Sequence, residues 1–473
     1  MLAFSLALVP CAVSASPDTL RVPDDYLTIQ AAINAASSGD TILVAAGIYT
    51  ENVSVGTSVT IQSQNGASET IVDGSTTHNH AFNVTAYNVD ISGFTVKGAT
   101  ADKQAGIYLD RVESCNISAN TCLDNYYGIY LDNSNNNTLT ENTANSNSKY
   151  GIYVDGDVGS NGNTLTGNTA NENSECGIYL DNSDSNTLTE NTTNGNGAYG
   201  ILLDGSNNNT LTSNSVTGNN IGVEINGSVD ASTISINFNN IYGNNDYGVW
   251  NNDLTATVDA TNNWWGYASG PTHAGNSGGT GDAVSDNVGY DPWIGAEVEE
   301  AKSETMDGPG TLENTPTGGD VTIDATGDHT IIIAKYEDNP GRIPSFKATG
   351  DYYDVYLDDD SGVDSLTIEF CPADEDTVIY YWDGSSWQRA SNQSYSDGCI
   401  VVTVTSSTFP SLSDLTGTPF ASGTPYPTAL APVAVGGEVY PVSKLAVLAP
   451  WLSLALIIVI GGSILGMRRR TSR

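Results

Sequence analysis

Basic residues are scarce in this chain of 473 residues. It contains 15 Lys and Arg against 55 Asp and Glu, a formal net charge of −40 at pH 7, and four of the basic residues lie in the last six positions. The chain before these six positions is strongly acidic and should repel nucleic-acid phosphates and anionic lipid headgroups, because both are negatively charged. The composition therefore predicts no nucleic-acid partner and favours cations or an extensively hydrated surface.

Cysteine and histidine are also few. No Cys-x-x-Cys pair occurs among the six cysteines, which argues against a zinc site. Cys371 and Cys399 flank a block rich in short strands, so we predict that they form a disulfide outside the cell. Cys176 takes a repeat position held elsewhere by tyrosine and is predicted to be a packed thiol. His78 and His80 could begin a copper or zinc site, but the sequence shows no third ligand, so they are predicted to be partly solvated polar residues near the cap.

The central part of the chain lacks the helical spacing of apolar residues at i, i+3, i+4 and i+7. Instead, a Gly-Ile-Tyr-Leu-Asp motif begins at Gly106 and recurs with gaps of 22, 23, 26, 23, 22 and 26 residues, loosening in the last two copies. Within each copy the side chains alternate with the period of two that is typical of a strand. A short strand repeat that cannot bury its apolar face alone predicts a parallel β-helix.

Aligned copies of the repeat place similar residues in columns. Three apolar columns are predicted to face inward: Ile107, Ile129, Ile152, Ile178, Ile201, Val223 and Val249; Leu109, Leu131, Val154, Leu180, Leu203 and Ile225; and Ile117, Leu139, Leu165, Leu188, Leu211 and Ile236. Two asparagine columns are unbroken over six turns: Asn120, Asn142, Asn168, Asn191, Asn214 and Asn239; and Asn125, Asn147, Asn173, Asn196, Asn219 and Asn244. Because asparagine suits turns and stacks into amide ladders, we predict that these columns form structural corners.

Two further columns of the motif share the outward face of one sheet. The first contains Tyr108, Tyr130, Tyr153 and Tyr179, continued by Leu202, Glu224 and Trp250; the second contains Asp110, Asp132, Asp155, Asp181 and Asp204. Aromatic rings beside carboxylates suit sugars, so Tyr108, Tyr130, Tyr153, Tyr179 and Trp250 are the predicted carbohydrate-binding residues. The five aspartates, spaced by about 4.8 Å, should repel one another. They are therefore predicted either to bind a cation, with calcium as the candidate, or to have raised pKa values. The alternative is that aspartate merely ends each strand and tyrosine is an exposed strand former.

Apolar segments mark both ends of the chain. Residues 1–15 have the apolar run and small-residue site of a signal peptide, and residues 445–467 form an uncharged stretch that could span a bilayer, followed by the basic tail 468–473. This arrangement predicts a single-pass protein on the extracellular face of the cell membrane with a cytoplasmic C-terminus. Residues 16–300 are assigned to the β-helix. Short strands and an Asp383-Gly384 hairpin turn predict a β-sandwich over 301–420, before a Pro/Ala/Gly-rich linker over 421–444.

Three segments near the start of the β-helix carry a family resemblance. Thr28-Ile-Gln-Ala-Ala-Ile33, Gly39-Asp-Thr-Ile-Leu-Val44 and Gly47-Ile-Tyr-Thr-Glu-Asn52 resemble the N-terminal cap of pectin-lyase-like right-handed β-helices. The repeats resemble the NosD-like, carbohydrate-associated branch of that superfamily, and Asn262-Asn-Trp-Trp-Gly266 resembles its closing turns. The resemblance covers about residues 20–295 and implies an all-β rod of about eleven turns, closed at its start by a short helix over residues 29–36.

Enzymes of this superfamily need particular side chains. Polysaccharide lyases use an Arg or Lys base near a calcium-binding Asp. Arg111 follows Asp110 directly, but adjacent strand residues point to opposite faces, which weakens the case for this pair as a catalytic site. Hydrolases of this fold need paired Asp with a nearby His, and no such set is found within residues 20–295. We therefore predict no catalytic residues, and a surface protein that binds or organises a polysaccharide or surface glycan. A polysaccharide lyase or hydrolase, and a purely structural rod or adhesin, are the alternatives.

Overall fold

The computed structural model describes residues 17–425 except 77, 157–158, 227–228, 337 and 341–343. The predicted signal peptide, membrane span and basic tail lie outside the described residues. Residues up to about 290 coil into a right-handed parallel β-helix of about ten turns, against the eleven predicted, and a β-sandwich follows. No helix within the described part of the chain is long and apolar enough to cross a membrane.

The β-helix has three faces, each formed by parallel strands from successive turns. The first face is a 12-stranded sheet made of Thr19–Val22, Thr41–Val44, Thr60–Ser63, Asp90–Ser92, Asn116–Ser118, Thr138–Thr140, Thr164–Thr166, Thr187–Thr189, Thr210–Thr212, Ser235–Asn237, Val258–Asp259 and Val288–Gly289. The second face is a 9-stranded sheet made of Val53–Val55, Phe82–Val84, Ala105–Asp110, Tyr127–Asp132, Tyr150–Asp155, Cys176–Asp181, Tyr199–Asp204, Ile221–Asn226 and Tyr247–Asn251.

The third face is divided into two shorter sheets. One contains Gly47–Tyr49, Thr70–Asp73, Thr95–Lys97 and Thr121–Cys122, and the other Thr192–Asn194, Ser215–Thr217 and Asn240–Tyr242. Isolated bridges through Thr143 and Thr169 connect them. Pro271–Thr272 and Gly281–Ala283 form a small additional parallel pair near the end of the β-helix.

The predicted inward columns form the core of the β-helix. Ile107, Leu109 and Ile117 are completely buried, and their counterparts in the following turns join them in one continuous apolar cluster. The α-helix Ile29–Ala35 closes the start of this cluster with Ile29, Ala32 and Ile33 buried. The Thr28 side chain caps this helix by accepting a hydrogen bond from the Ala31 N–H. The predicted cap helix is therefore confirmed.

Both predicted asparagine columns are buried ladders. The Asn142 side-chain oxygen accepts from the Asn120 N–H at 3.1 Å and from its side-chain amide at 3.2 Å, while the Asn142 amide donates to the Ile117 carbonyl at 2.7 Å. The same pattern repeats along both columns, so each amide satisfies backbone groups that a corner leaves unpaired. The second ladder also explains the motif glycine, because a Cβ at Gly128 would lie 2.8 Å from the Asn147 amide nitrogen and 2.5 Å from the Gly151 carbonyl oxygen.

Two further ladders were missed in the sequence. One is an asparagine column of Asn137, Asn163, Asn186 and Asn209, and the other a serine column of Ser134, Ser160, Ser183 and Ser206. All eight residues are buried at the corner between the second and first faces. Their signal was present in the constant spacing of Ser and Asn before each Thr-Leu-Thr phrase.

The β-sandwich contains two antiparallel sheets and is confirmed. The six-stranded sheet is made of Val298–Asp307, Asp328–Tyr336, Lys347–Leu357, Thr416–Thr424, Val378–Trp382 and Trp387–Arg389, and the five-stranded sheet of Gly310–Leu312, Gly318–Ala325, Val363–Phe370, Cys399–Val404 and Gln393–Ser396. The 3₁₀ turns are Ala231–Thr233 in the β-helix and Leu412–Asp414 in the sandwich. The last strand extends four residues into the predicted linker, and the predicted Cys371–Cys399 disulfide is present.

The outer face of the six-stranded sheet packs on the last turns of the β-helix. Phe238 is completely buried there, with its ring centroid 5.9 Å from that of Tyr356. Asn240 joins the backbone of Val298 by two hydrogen bonds, of 2.8 and 2.9 Å. A cavity lined by residues of both parts of the chain also lies at this junction.

Candidate functional site

The tyrosine and aspartate columns lie in register on the second face of the β-helix. Tyr108, Tyr130, Tyr153, Tyr179 and Leu202 are direct partners on neighbouring strands, as are Asp110, Asp132, Asp155, Asp181 and Asp204. Strand alternation points both columns away from the core, as predicted. We call these four tyrosines and five aspartates the tyrosine–aspartate strip.

The strip tyrosines stack on one another along the axis. Ring centroids are 5.0 Å apart for Tyr108 and Tyr130, 4.9 Å for Tyr130 and Tyr153, and 5.1 Å for Tyr153 and Tyr179. His80 stacks on Tyr108 at 4.0 Å and begins the row. Because neighbouring rings cover the faces, the tyrosines present mainly ring edges to solvent.

A second row of side chains explains why the strip is half-buried. Tyr127, Tyr150, Cys176 and Tyr199, each just before a motif glycine, are partners on neighbouring strands. The Tyr127 and Tyr150 rings stack at 5.2 Å, and each also contacts a strip tyrosine. Together they form a small apolar cluster on the outside of the rod. The prediction for Cys176 is confirmed, because its thiol is 2% exposed within this cluster.

Three strip carboxylates accept a hydrogen bond from the tyrosine of the preceding turn. The Tyr108 hydroxyl donates to Asp132 at 2.6 Å, that of Tyr130 to Asp155 at 2.9 Å, and that of Tyr153 to Asp181 at 3.1 Å. Burial raises the pKa of Asp155, and the neighbouring aspartate charges add to the rise while the tyrosine hydroxyls oppose it. Burial also raises the pKa of Asp204. The carboxylates therefore share a hydrogen-bonded row rather than merely repelling one another.

Asp110, at the start of the row, has a cationic neighbour. The Arg111 guanidinium contacts its carboxylate at 2.7 Å. The expectation that these adjacent residues point to opposite faces was wrong, because Arg111 has a positive φ of 53° and lies in the turn where strand alternation ends. The pair is exposed and contributes little to stability.

The opposite end of the strip contains a buried acid, Glu224, which continues the tyrosine column and for which no role was predicted. Glu224 is 4% exposed, and burial raises its pKa, while a hydrogen bond from the Tyr199 hydroxyl opposes the rise. Its second carboxylate oxygen is buried and has no hydrogen-bond partner among the described residues. Trp250, on the next strand, stacks on Tyr247 at 5.7 Å. Trp250 is therefore separated from the stacked tyrosines by Leu202 and Glu224.

The family comparison is consistent with this architecture. The NosD family, described as a periplasmic copper-binding protein, matches residues 33–228 and 158–264. The chain carries a right-handed parallel β-helix of the NosD type. Within the described residues of this NosD-type β-helix and its sandwich, no group of three or more His, Cys, Asp or Glu is placed to hold a metal ion.

Copper does not fit the two histidines of the NosD-type β-helix. His78 is exposed, whereas the His80 ring is stacked on Tyr108 and its Nδ1 accepts the Ala105 N–H at 3.0 Å. Burial lowers the pKa of His80 to about 4. We therefore derive no copper chemistry for this chain. Calcium binding by the five strip aspartates stays a prediction.

Individual relatives are more distant. A cell surface glycoprotein of Methanothermus fervidus is 31% identical over 123 residues, which cover 26% of this chain and 20% of that protein. A pectate lyase has 16% identity and a TM-score of 0.41, covering 59% of this chain and 80% of its own. A protein of Geobacillus virus E2 has 15% identity and a TM-score of 0.47, covering 88% and 78%.

Proposed function

We propose that this protein works outside the cell and binds an elongated glycan along the tyrosine–aspartate strip without cleaving it. The observation that supports this proposal is a row of carboxylates, one per turn, oriented by tyrosine hydroxyls of the preceding turn. Sugar hydroxyls donate well to such acceptors, and charge-assisted hydrogen bonds are the stronger class. Because the row is held in place before binding, little ordering is required when a ligand arrives.

The binding mode differs from stacking on open aromatic faces. In this proposal Tyr108, Tyr130, Tyr153 and Tyr179 contact the glycan through their edges and position the carboxylates, and Trp250 contributes a separate aromatic contact. Asp110, Asp132, Asp155, Asp181 and Asp204 are the hydrogen-bond acceptors. Calcium is the proposed cofactor only as a bridge between these carboxylates and an acidic glycan, with ligand oxygens supplied by both.

The test begins with a glycan array probed with the full chain, with and without calcium. A glycan that binds is then cast into an affinity gel, in which Asp155→Asn with Asp181→Asn should migrate faster than the parent protein. Tyr130→Phe with Tyr153→Phe keeps the rings and removes the orienting hydroxyls, so an intermediate loss is expected. Tyr130→Ala with Tyr153→Ala should abolish retardation.

The matched control is Asp124→Asn with Glu172→Gln. Both residues are exposed and lie outside the strip, and the change in net charge equals that of the aspartate pair. Equal retardation of the control and the Asp155→Asn, Asp181→Asn protein would contradict the proposed site, as would the absence of any bound glycan.

The extracellular location is supported by three observations. The chain contains a disulfide, which persists in oxidising compartments. The matching family is described as periplasmic, and the Methanothermus relative as a cell surface glycoprotein. In this proposal residues 445–467 anchor the protein as a single membrane span. Deletion of residues 445–473 should then move the protein from the membrane fraction to the medium.

A polysaccharide-cleaving enzyme is the second candidate, and Glu224 is the observation that favours it. A buried carboxyl with a raised pKa near a second acid is the arrangement of a general acid and its partner in glycosidases. Asp204 lies on the neighbouring strand, and its charge also raises the pKa of Glu224, so Asp204 is the second acid of this alternative. Release of reducing or unsaturated sugars from the bound glycan, lost in Glu224→Gln, would favour catalysis over simple binding.

A further inference from the structure

Eight Asn-x-Ser/Thr triplets in which x is not proline occur in the chain. This triplet is the acceptor sequence for attachment of an oligosaccharide to the asparagine side chain in secreted proteins. Its asparagines here are Asn52, Asn83, Asn116, Asn136, Asn191, Asn208, Asn226 and Asn392. A chain rich in asparagine and threonine contains such triplets by chance, so the triplet alone selects no site. The structure separates the eight by the surroundings of each side-chain amide.

Three of these asparagines use their amides within the fold. Asn191 is completely buried in a ladder, where its amide donates to the Leu165 carbonyl at 2.8 Å and to the side-chain oxygen of Asn214 at 3.0 Å. The amides of Asn52 and Asn392 donate to backbone carbonyls at 2.8 and 3.0 Å. A sugar on Asn191 would replace a bonded hydrogen in a corner without space for it. A sugar on either of the others would crowd the carbonyl that the amide binds.

Three further asparagines are poorly placed for modification. Asn83 and Asn226 are half-buried on the second face; the side-chain oxygen of Asn83 is buried, and that of Asn226 accepts from the Asn252 amide at 3.2 Å. Asn116 is exposed but begins a first-face strand that pairs with strands on both sides. Enzymes that modify proteins act most readily on exposed turns, where the backbone can enter their active site. Asn83 and Asn116 lie in strands and offer no such turn.

Asn136 and Asn208 are the two that remain, and they occupy the same position of the repeat. Each lies at the corner between the second and first faces, directly before a buried ladder asparagine. Both are exposed, and both have a left-handed backbone, with φ of 51° and 55°, which asparagine tolerates. Among the described residues neither side-chain amide has a hydrogen-bond partner. Each amide is therefore displayed on a turn and is not needed by the fold.

The repeat accounts for the hydroxyl of these two triplets but not for the asparagine. The residue two places later begins a first-face strand and is threonine in each of four successive turns, at Thr138, Thr164, Thr187 and Thr210. The corner position itself is held in those turns by Asn136, Gly162, Ser185 and Asn208, so the fold does not require asparagine there. Gly162 also leaves room beside Asn136, because a Cβ at Gly162 would lie 2.6 Å from Oδ1 of Asn136.

We propose that Asn136 and Asn208 carry N-linked oligosaccharides in the mature protein. The proposal rests on the extracellular location proposed above, but not on glycan binding by the strip. The donor is an oligosaccharide joined to a membrane lipid through a diphosphate, and the catalyst is the cell's oligosaccharyltransferase. The asparagine side-chain nitrogen forms a bond to C1 of the first sugar while the C1–O bond to phosphate breaks. The lipid diphosphate leaves with the bonding electrons, and the amide loses one proton.

Site-localising mass spectrometry of the full chain isolated from its own cells is the first test. Asn136 and Asn208 should carry an added sugar mass, and Asn191 should carry none. Exchange of the exposed Thr138 provides a matched pair of variants. Thr138→Ser keeps the hydroxyl and should keep the sugar on Asn136, whereas Thr138→Val removes the hydroxyl and should abolish that sugar without affecting Asn208.

A reaction in vitro tests the structural selection without reference to location. Unmodified full chain, made in a host that lacks the transferase, is incubated with a purified single-subunit oligosaccharyltransferase and its lipid-linked donor. The folded chain should be modified at Asn136 and Asn208 but not at Asn191, although short synthetic peptides around Asn136 and Asn191 should both react. Equal modification of Asn191 and Asn136 in the folded chain, or none at Asn136 and Asn208, would overturn the proposal.

The outcomes also separate this inference from the proposed function. A native protein that lies outside the cell but has no sugar at Asn136 or Asn208 overturns the inference alone. A native protein that lies inside the cell overturns both the inference and the proposed location. The glycan array and affinity gel described above report on the strip and do not depend on whether these two corners are modified.

Discussion

At the scale of single residues, asparagine determines the corners of this β-helix. Asn168 shows the bonding within a ladder: its side-chain oxygen accepts two hydrogen bonds from Asn142 of the preceding turn, and its amide donates to the Leu139 carbonyl. No other side chain of this size offers an acceptor and two donors on one planar group. The ladder positions could be predicted from the sequence because each turn has a corner whose backbone groups require the same hydrogen-bond partner.

Asn168→Ala tests the energetic role of a ladder residue. The change leaves the Asn142 N–H and the Leu139 carbonyl without partners in a buried corner, so the free energy of unfolding should fall by about 3 kcal/mol. Thermal melts monitored by circular dichroism would report this as a lower Tm. Thr164→Ala, an exposed residue of the same turn, should change the Tm little. A similar Tm for both variants would contradict a structural role for the ladder.

At the scale of elements, the repeating turn is the unit of both fold and site. Strand alternation correctly predicted which motif residues face inward and which face outward. It did not predict that Tyr127 and Tyr150 would half-bury the strip, because both residues precede the motif glycine and lie outside the alternating segment. Nor did it predict the Asp110–Arg111 contact, because alternation ends where the backbone enters the turn.

Deletion of residues 128–150 removes one complete turn of 23 residues and joins Tyr127 to Gly151. Because each turn contacts only its neighbours, the columns stay in register, and the shortened protein should fold with a lower Tm. Deletion of residues 128–138 alone is the control. It displaces every later column and should prevent cooperative folding. Circular dichroism and thermal melts distinguish the two results, and equal behaviour of the two deletions would refute the modular interpretation.

At the scale of the whole molecule, the dominant property is a net charge of −40. Such an excess keeps the protein soluble but destabilises the compact state through self-repulsion. In the strip, tyrosine hydroxyls donate hydrogen bonds to carboxylates at successive turns, which offsets part of the repulsion between these charges. Other carboxylates, such as those of Asp124 and Glu172, are exposed and depend on solvent and ions.

Raising the sodium chloride concentration from low to physiological ionic strength should therefore raise the Tm, because salt screens repulsion between exposed carboxylates. Calcium chloride at the same ionic strength should produce an additional rise if the strip binds calcium. The Asp155→Asn, Asp181→Asn protein should lose that additional rise and keep the effect of sodium chloride. A Tm that does not change with sodium chloride would show that self-repulsion does not limit stability.

The sequence alone determined the parallel β-helix, its inward columns, its asparagine corners, the cap helix and the disulfide pair. These features depend on local periodicity or on residues repeated at each turn, which a single chain displays directly. Only the tertiary structure decided that the strip tyrosines stack edge-outward and bond to the next turn's aspartates. It also decided that Asn136 is exposed whereas Asn191 and Glu224 are buried. These properties arise from contacts between residues distant in sequence, whose distances and burial no spacing along the chain encodes.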